Sequence, residues 1–359
     1  MLASGELRRL VDEDGIVGLT SNPTIFQRSI GQGALYDDDI AADARRGADA
    51  LAIYETLAVG DIQAVADVLR PVYDRTGGAD GLVSLEVSPE LAADAAGTVA
   101  EARRLWARVA RPNLFVKVPA TREALPAITA LLAEGINVNV TLIFGIGRYR
   151  EVIAAYLEGM ERAAASGRPI ERLASVASFF VSRVDVHVDR RIDALLVQAD
   201  DERRGALGAI RGRAAIANAC LAYMAFTEAF SGERWRLLLA RGARPQRPLW
   251  ASTGTKDPRY SDVRYVEELI APDTVTTMPL ETIAAFRDHG RARASCVESL
   301  GEAGPVMRAL ARFGIDMEAV SRELEEQGVR IFVESFRLLL ASLHAKAGTA
   351  RAVVASESR

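Results

Sequence analysis

A chain of 359 residues with 49% apolar and 26% charged side chains has the composition of an ordinary globular protein, and α/β barrels of this length are commonly built as one domain. The formal net charge of −4 argues against a nucleic-acid partner, which calls for a basic excess gathered on one face. No apolar run is long enough to span a membrane, the first residues (MLASGELRRLVDEDG) are too charged for a signal peptide, and two cysteines, Cys220 and Cys296, give neither a disulfide framework nor metal-ligand spacing; the expectation is a cytoplasmic enzyme.

In chain order, a short helical pattern (Leu7, Leu10, Val11) precedes seven β-like runs at 15–21, 81–88, 114–120, 137–144, 173–181, 247–253 and 274–279. Most are apolar on both faces or polar on one alternating face, as buried parallel strands are. Helical patterns lie between them, at 90–110, 123–134 and 147–166, the last closed by Ser166-Gly167-Arg168-Pro169. Extra helices are predicted within 183–242, including an Ala-rich one at 214–230, and two more within 314–345. Strands and helices alternating in this way predict βαβ units and a parallel sheet. The predicted architecture is a (β/α)8 barrel over residues 1–347, with helical extensions at 183–242 and 290–345 and a polar tail at 348–359. Such a barrel needs eight strands, and the first is absent from the seven that can be read.

Catalytic side chains of these barrels sit at the C-terminal ends of the strands and point inward, so strand position and parity select candidates. The first run ends in Thr20-Ser21-Asn22-Pro23, where Asn22 is either a barrel-mouth amide or a turn former. In Ser84-Leu85-Glu86-Val87-Ser88 the period of 2 puts Glu86 inside with Ser84 and Ser88. It is either a proton-moving acid or half of a structural ion pair.

Lys117 stands in an otherwise apolar strand, Leu114 to Ala120, and is one of only three lysines, with Lys256 and Lys346, among 44 basic residues. Arginine has replaced lysine almost everywhere else, and an amine can attack a carbonyl where a guanidinium cannot. A buried ammonium either pairs or loses its proton. Lys117 therefore reads as a Schiff-base nucleophile or as a lysine snorkelling from a strand end; Lys346 reads as incidental. The next run, Asn137-Val138-Asn139-Val140-Thr141-Leu142, turns three hydrogen-bonding side chains inward, too many for an apolar barrel plug and suited to a polyhydroxylated ligand. Arg183, just past a strand that carries Ser178, suits a phosphate. So does the polar turn after Trp250, which runs through Ser252 and Gly254 to Lys256.

Four of these segments (Thr20 to Pro23, Ser84 to Val87, Phe115 to Thr121 and Gly135 to Leu142) resemble, in order, the strand motifs of the transaldolase family. Ser178 to Asp185 and Trp250 to Asp257 extend the likeness over nearly the whole chain, which most resembles the longer bacterial form. The resemblance implies transfer of a dihydroxyacetone unit from fructose 6-phosphate or sedoheptulose 7-phosphate to an aldose phosphate, in the pentose phosphate pathway. Sugar phosphates would be the partners, and neither metal nor organic cofactor would be needed, because the iminium cation is the electron sink.

Residue by residue, the resemblance implies that Lys117 forms the Schiff base, and that Glu86 and Thr141 hold the water that shuttles protons. Asn22, Asn139 and Ser178, with Thr20 beside them, would bind hydroxyls, and Arg183 and Ser252 the phosphate. The family's further phosphate Arg is replaced by Gly254, a charge that Lys256 is expected to supply. The family's first-strand Asp, the acid/base of C–C cleavage, has no counterpart, since Glu6 and Asp12 fall in a helical pattern. Missing strand and missing Asp are one observation, and a start assigned too late is the expected cause. The alternatives are a related class I aldolase and a truncated, non-catalytic sugar-phosphate-binding barrel.

Overall fold

The computed structural model describes residues 4–357. Each of the seven predicted runs contains one strand: β1 (Gly18–Thr20), β2 (Leu82–Glu86), β3 (Leu114–Pro119), β4 (Val138–Ile143), β5 (Ser175–Phe180), β6 (Arg247–Ala251) and β7 (Val275–Thr276). They form a single parallel sheet in chain order. Strands β2 to β5 are buried along their whole length. A strand covered on both faces needs an apolar side chain at nearly every position, which is why these runs stood out in the sequence.

The helices that matter for the site are α1 (Glu6–Glu13), α2 (Ala50–Arg75), α3 (Ala95–Val109), α4 (Leu125–Ala133), α5 (Ile146–Ala165), α6 (Ser182–Leu196), α7 (Ala214–Ala229), α8 (Ser295–Arg312) and α9 (Met317–Glu357). Glu6 and Asp12 both lie in α1, which buries Leu7 and Leu10. Those two leucines, both edge strands and the inward residues Phe115, Val176 and Leu249 line one apolar cavity of about 460 Å³. Because β1 and β7 face the same cavity, the sheet is curled rather than flat. No helix among the described residues is long and apolar enough to cross a membrane.

The predicted pair of helices within 314–345 is instead part of one, α9. The chain turns at Gly314 (φ 77°), before α9 begins, and Gly328 lies inside the helix. A glycine there costs about 1 kcal/mol against alanine, but a Cβ at 328 would stand 2.9 Å from Leu142 Cδ2. The glycine lets α9 approach β4. Side chains of α9 then meet segments that follow three of the strands: Ser335 with Thr24 after β1 (2.9 Å), Arg337 with Glu90 after β2 (2.8 Å), and Ser321 and Glu325 with Phe144 O and Arg148 after β4 (3.2 and 3.1 Å). Farther round, Glu323 meets His187 and Arg191 of α6 (2.8 and 2.7 Å). The helix is a roof over the C-terminal ends of the strands. Lys346, which the sequence left as incidental, ties that roof to Asp37 (2.7 Å).

Candidate active site

Parallel register brings Glu86, Lys117 and Asn139 level on adjacent strands, and strand parity turns all three inward. Lys117 Nζ donates to Glu86 Oε2 at 2.9 Å and to the Ser21 carbonyl at 3.2 Å. The side chains of Lys117 and Glu86 are 5% and 6% exposed. Ser21 is held against β2 by its own N–H and hydroxyl, both bonded to Ser84 O (3.3 and 2.8 Å), and so the end of β1 presents its carbonyl to the amine. Burial raises the Glu86 pKa above the ordinary carboxylate value, against the opposing pull of the Lys117 charge and hydrogen bond. A carboxyl so placed can hold or release a proton nearer neutrality than a solvated one.

From this pair a polar belt continues round the sheet. Asn139 Nδ2 donates to Ser84 Oγ (3.0 Å), and Ser178 Oγ donates to Asn139 Oδ1 (2.7 Å). Thr141 Oγ1 is buried and has no hydrogen-bond partner among the described residues, although a buried hydroxyl ordinarily has one. Beside it the β4–β5 register shifts between Val140 and Ile143, and Leu142 takes φ 64°, a left-handed conformation that a branched side chain adopts only under constraint.

Asn137 departs from the sequence reading. Its amide donates to Pro112 O (3.2 Å) and Leu114 O (3.1 Å) and accepts from Ala174 N (2.9 Å). Both donors and the oxygen brace backbone at the N-terminal end of the sheet, away from Lys117. Asn22 caps the short helix Pro23–Phe26, its Oδ1 accepting from Ile25 N at 2.8 Å, which leaves Nδ2 as a donor. Thr20 is half-buried on the cavity wall, with its hydroxyl 3.5 Å from Ser21 O.

The basic candidates lie at the ends of β5 and β6. Arg183, half-buried in the first turn of α6, rests over the Phe180 ring at 5.9 Å and has no hydrogen bond or ion pair among the described residues. Burial lowers its pKa from the usual guanidinium value. Next to it Ser182 Oγ lies 3.1 Å from Ser252 Oγ, and Ser252 holds φ 57°. Lys256 is exposed, and its Nζ is folded to within 3.6 Å of where a Cβ on Gly254 would stand. A lysine amine therefore occupies space beside residue 254 without being residue 254.

A family model described as Transaldolase/Fructose-6-phosphate aldolase matches residues 2–343. The transaldolase of Frankia alni is 49% identical over 348 residues, which is 97% of this chain and 92% of the relative. That of Mycolicibacterium paratuberculosis is 49% identical over 351 residues, with the same coverage. That of Saccharopolyspora erythraea is 50% identical over 338 residues, 94% of this chain and 89% of the relative. The chain belongs to the transaldolase family. It is an enzyme, a transferase with transaldolase function.

Sequence reasoning missed part of this transaldolase's polar belt and, although it expected helices over 314–345, the path of its roof over the strands. Ser84 was legible, since it shares parity with Glu86, but nothing marked it as the residue that joins Asn139 to β2. Phe332 of α9 is 3% exposed, and its ring lies 5.8 Å from Lys117 Nζ. Its apolar run signalled burial alone, and only the path of α9 over the strands brings it to the amine.

Proposed function

We propose that transaldolase chemistry in this chain runs through an imine on Lys117, with a dihydroxyacetone unit as the transferred fragment. The observation that carries the reading is the buried Lys117–Glu86 contact at 2.9 Å inside a row of hydroxyl and amide side chains. The amine of Lys117, once it has passed a proton to Glu86, adds to the C2 carbonyl of a ketose phosphate. Loss of the resulting hydroxyl as water needs a proton donor, and Glu86, with its raised pKa, is suited to supply it through a water shared with Thr141. As the C3–C4 bond breaks, the C4 hydroxyl passes its proton through water to the Glu86 carboxylate, an aldose phosphate leaves, and the electron pair stays in an enamine on Lys117. The enamine then attacks the aldehyde of an acceptor, whose oxygen takes that proton back, and water adds to the imine carbon, breaks the C–N bond and returns the amine.

In this reading Asn139 and Ser178 bind the fragment's hydroxyls, with Asn22 and Thr20 on the β1 side. Arg183 and Ser252 take the phosphate. Lys256, whose amine folds over Gly254, adds a second positive charge. We read the curled sheet as the larger part of a (β/α)8 barrel, the eighth stave belonging between β1 and β7, whose edges line the same apolar cavity.

The test is acceptor dependence. With fructose 6-phosphate and erythrose 4-phosphate together, glyceraldehyde 3-phosphate and sedoheptulose 7-phosphate are expected in equal amounts, with little free dihydroxyacetone. Dihydroxyacetone released at the same rate with and without acceptor would make the chain an aldolase that cleaves without transferring. Tight binding of fructose 6-phosphate with no conversion would make it a binding barrel.

A further inference from the structure

The family's name joins two activities, transaldolase and fructose-6-phosphate aldolase, which differ in the fate of the same three-carbon fragment. An enamine on an amine has two exits. It can attack an aldehyde, which is transfer. It can instead take a proton at carbon, after which water adds to the imine carbon, the C–N bond breaks, and free dihydroxyacetone leaves with the amine restored. Hydrolysis of an imine ends both routes; what sets the second exit apart is the proton taken at carbon, which water reaching the enamine would deliver. The structure has an element that faces this point, and it comes from outside the sheet.

We propose that Phe332 is a positioning residue that keeps water from the Lys117-bound fragment and so sets the ratio of transfer to release. The proposal rests on Lys117 as the imine-forming residue. Phe332 lies on the face of α9 turned to the strand ends, 5.8 Å from Lys117 Nζ, within the range at which an aromatic face attracts a cation. The same geometry favours the cationic iminium that follows on that nitrogen. The ring is 3% exposed and therefore fills space. Without it, a void walled partly by Lys117 and Glu86 would be polar enough to admit water.

The ring is also held in place. Phe336, one turn on, packs edge-to-face on Tyr54 with centroids 5.3 Å apart, and Tyr54 packs in the same manner on Phe26. On either side of Phe332, Ser335 and Glu325 bond Thr24 and Arg148. Gly328 lets the helix close on Leu142. These contacts do not involve the ring, so its removal is expected to leave α9 seated.

The experiment compares wild type, Phe332→Leu and Phe332→Ala with fructose 6-phosphate and erythrose 4-phosphate. It measures free dihydroxyacetone against sedoheptulose 7-phosphate, with borohydride trapping and peptide mapping alongside. Phe332→Ala is expected to raise the release-to-transfer ratio by about tenfold, the scale of a lost desolvated cation–π contact together with its shielding. Phe332→Leu, which restores bulk without a π-face, is expected to fall between, and all three proteins are expected to trap the fragment on Lys117. A merely structural role would lower both products together and leave the ratio alone. An unchanged ratio with Lys117 trapped overturns the role of Phe332 and spares the imine reading, whereas a wild-type protein trapped elsewhere overturns both. If Phe332→Ala does not fold, Phe332→Leu and Phe332→Met decide the question by the same ratio.

Discussion

Arg183 illustrates how a single residue can carry information that composition hides. A half-buried guanidinium without an ion pair among the described residues is an unfavourable arrangement unless an anion completes it. Arg183→Ala is therefore expected to weaken binding of phosphorylated ligands by about 2–3 kcal/mol, the scale of a charged hydrogen bond, and to leave unphosphorylated dihydroxyacetone nearly unaffected. Calorimetric titration with both ligands checks this, and equal losses would make Arg183 a packing residue. Lys256→Ala is expected to show the same selectivity with a smaller loss, because that amine is exposed and screened. Lys117 and Glu86 were legible as candidates because each is a charged residue in an apolar run. Asn137 and Asn139 were not separable, since parity turns both to the same face. What separates them is height in the sheet, where Asn137 meets Pro112, Leu114 and Ala174 while Asn139 meets Ser84 and Ser178.

Among elements, the buried strands were the easiest to find and the roof was the hardest. Local pattern shows that 314–345 is amphipathic, but whether Gly328 breaks or bends it depends on Leu142, a distant partner. The junction of α6 and α7 offers a test of how such elements are held. Asp185 of α6 accepts from Ala215 N in the first turn of α7 (2.7 Å) and from the Tyr265 hydroxyl (2.8 Å). Burial raises its pKa to about 6 from the model-peptide value of 3.8. The folded chain thus holds more protons than the unfolded chain between those values, and this group's contribution to stability falls as pH rises through that window. The variant Asp185→Asn keeps an acceptor for Ala215 and cannot ionise. From pH 4 to pH 7 the wild type is expected to lose stability relative to the variant by about 3 kcal/mol at most. Parallel pH profiles in denaturant unfolding would contradict the assignment.

At the scale of the whole molecule, alternating periodicity announced a parallel α/β sheet and the barrel reading expected it to curl, but the geometry that defines the curl, β1 and β7 lining one cavity from opposite ends of the sheet order, joins residues too far apart for a local pattern to mark. Cys220 and Cys296 make the same point. Seventy-six positions apart, they bring their sulfurs to 3.6 Å where α7 meets α8, a contact that spacing could not suggest. The candidate site depends on this scale too. Its residues come from β1 to β6 and the segments that follow them, and α9 closes over them. In the proposed chemistry this convergence makes one lysine of three a carrier of substrate carbon. Borohydride reduction in the presence of fructose 6-phosphate, followed by peptide mass mapping, tests it directly. The expected result is a single modified peptide containing Lys117, and none in a folded Lys117→Arg variant, since a guanidinium is not a nucleophile at neutral pH. Modification at Lys256 or Lys346, or a wild-type enzyme that turns over without any reducible adduct, would contradict it.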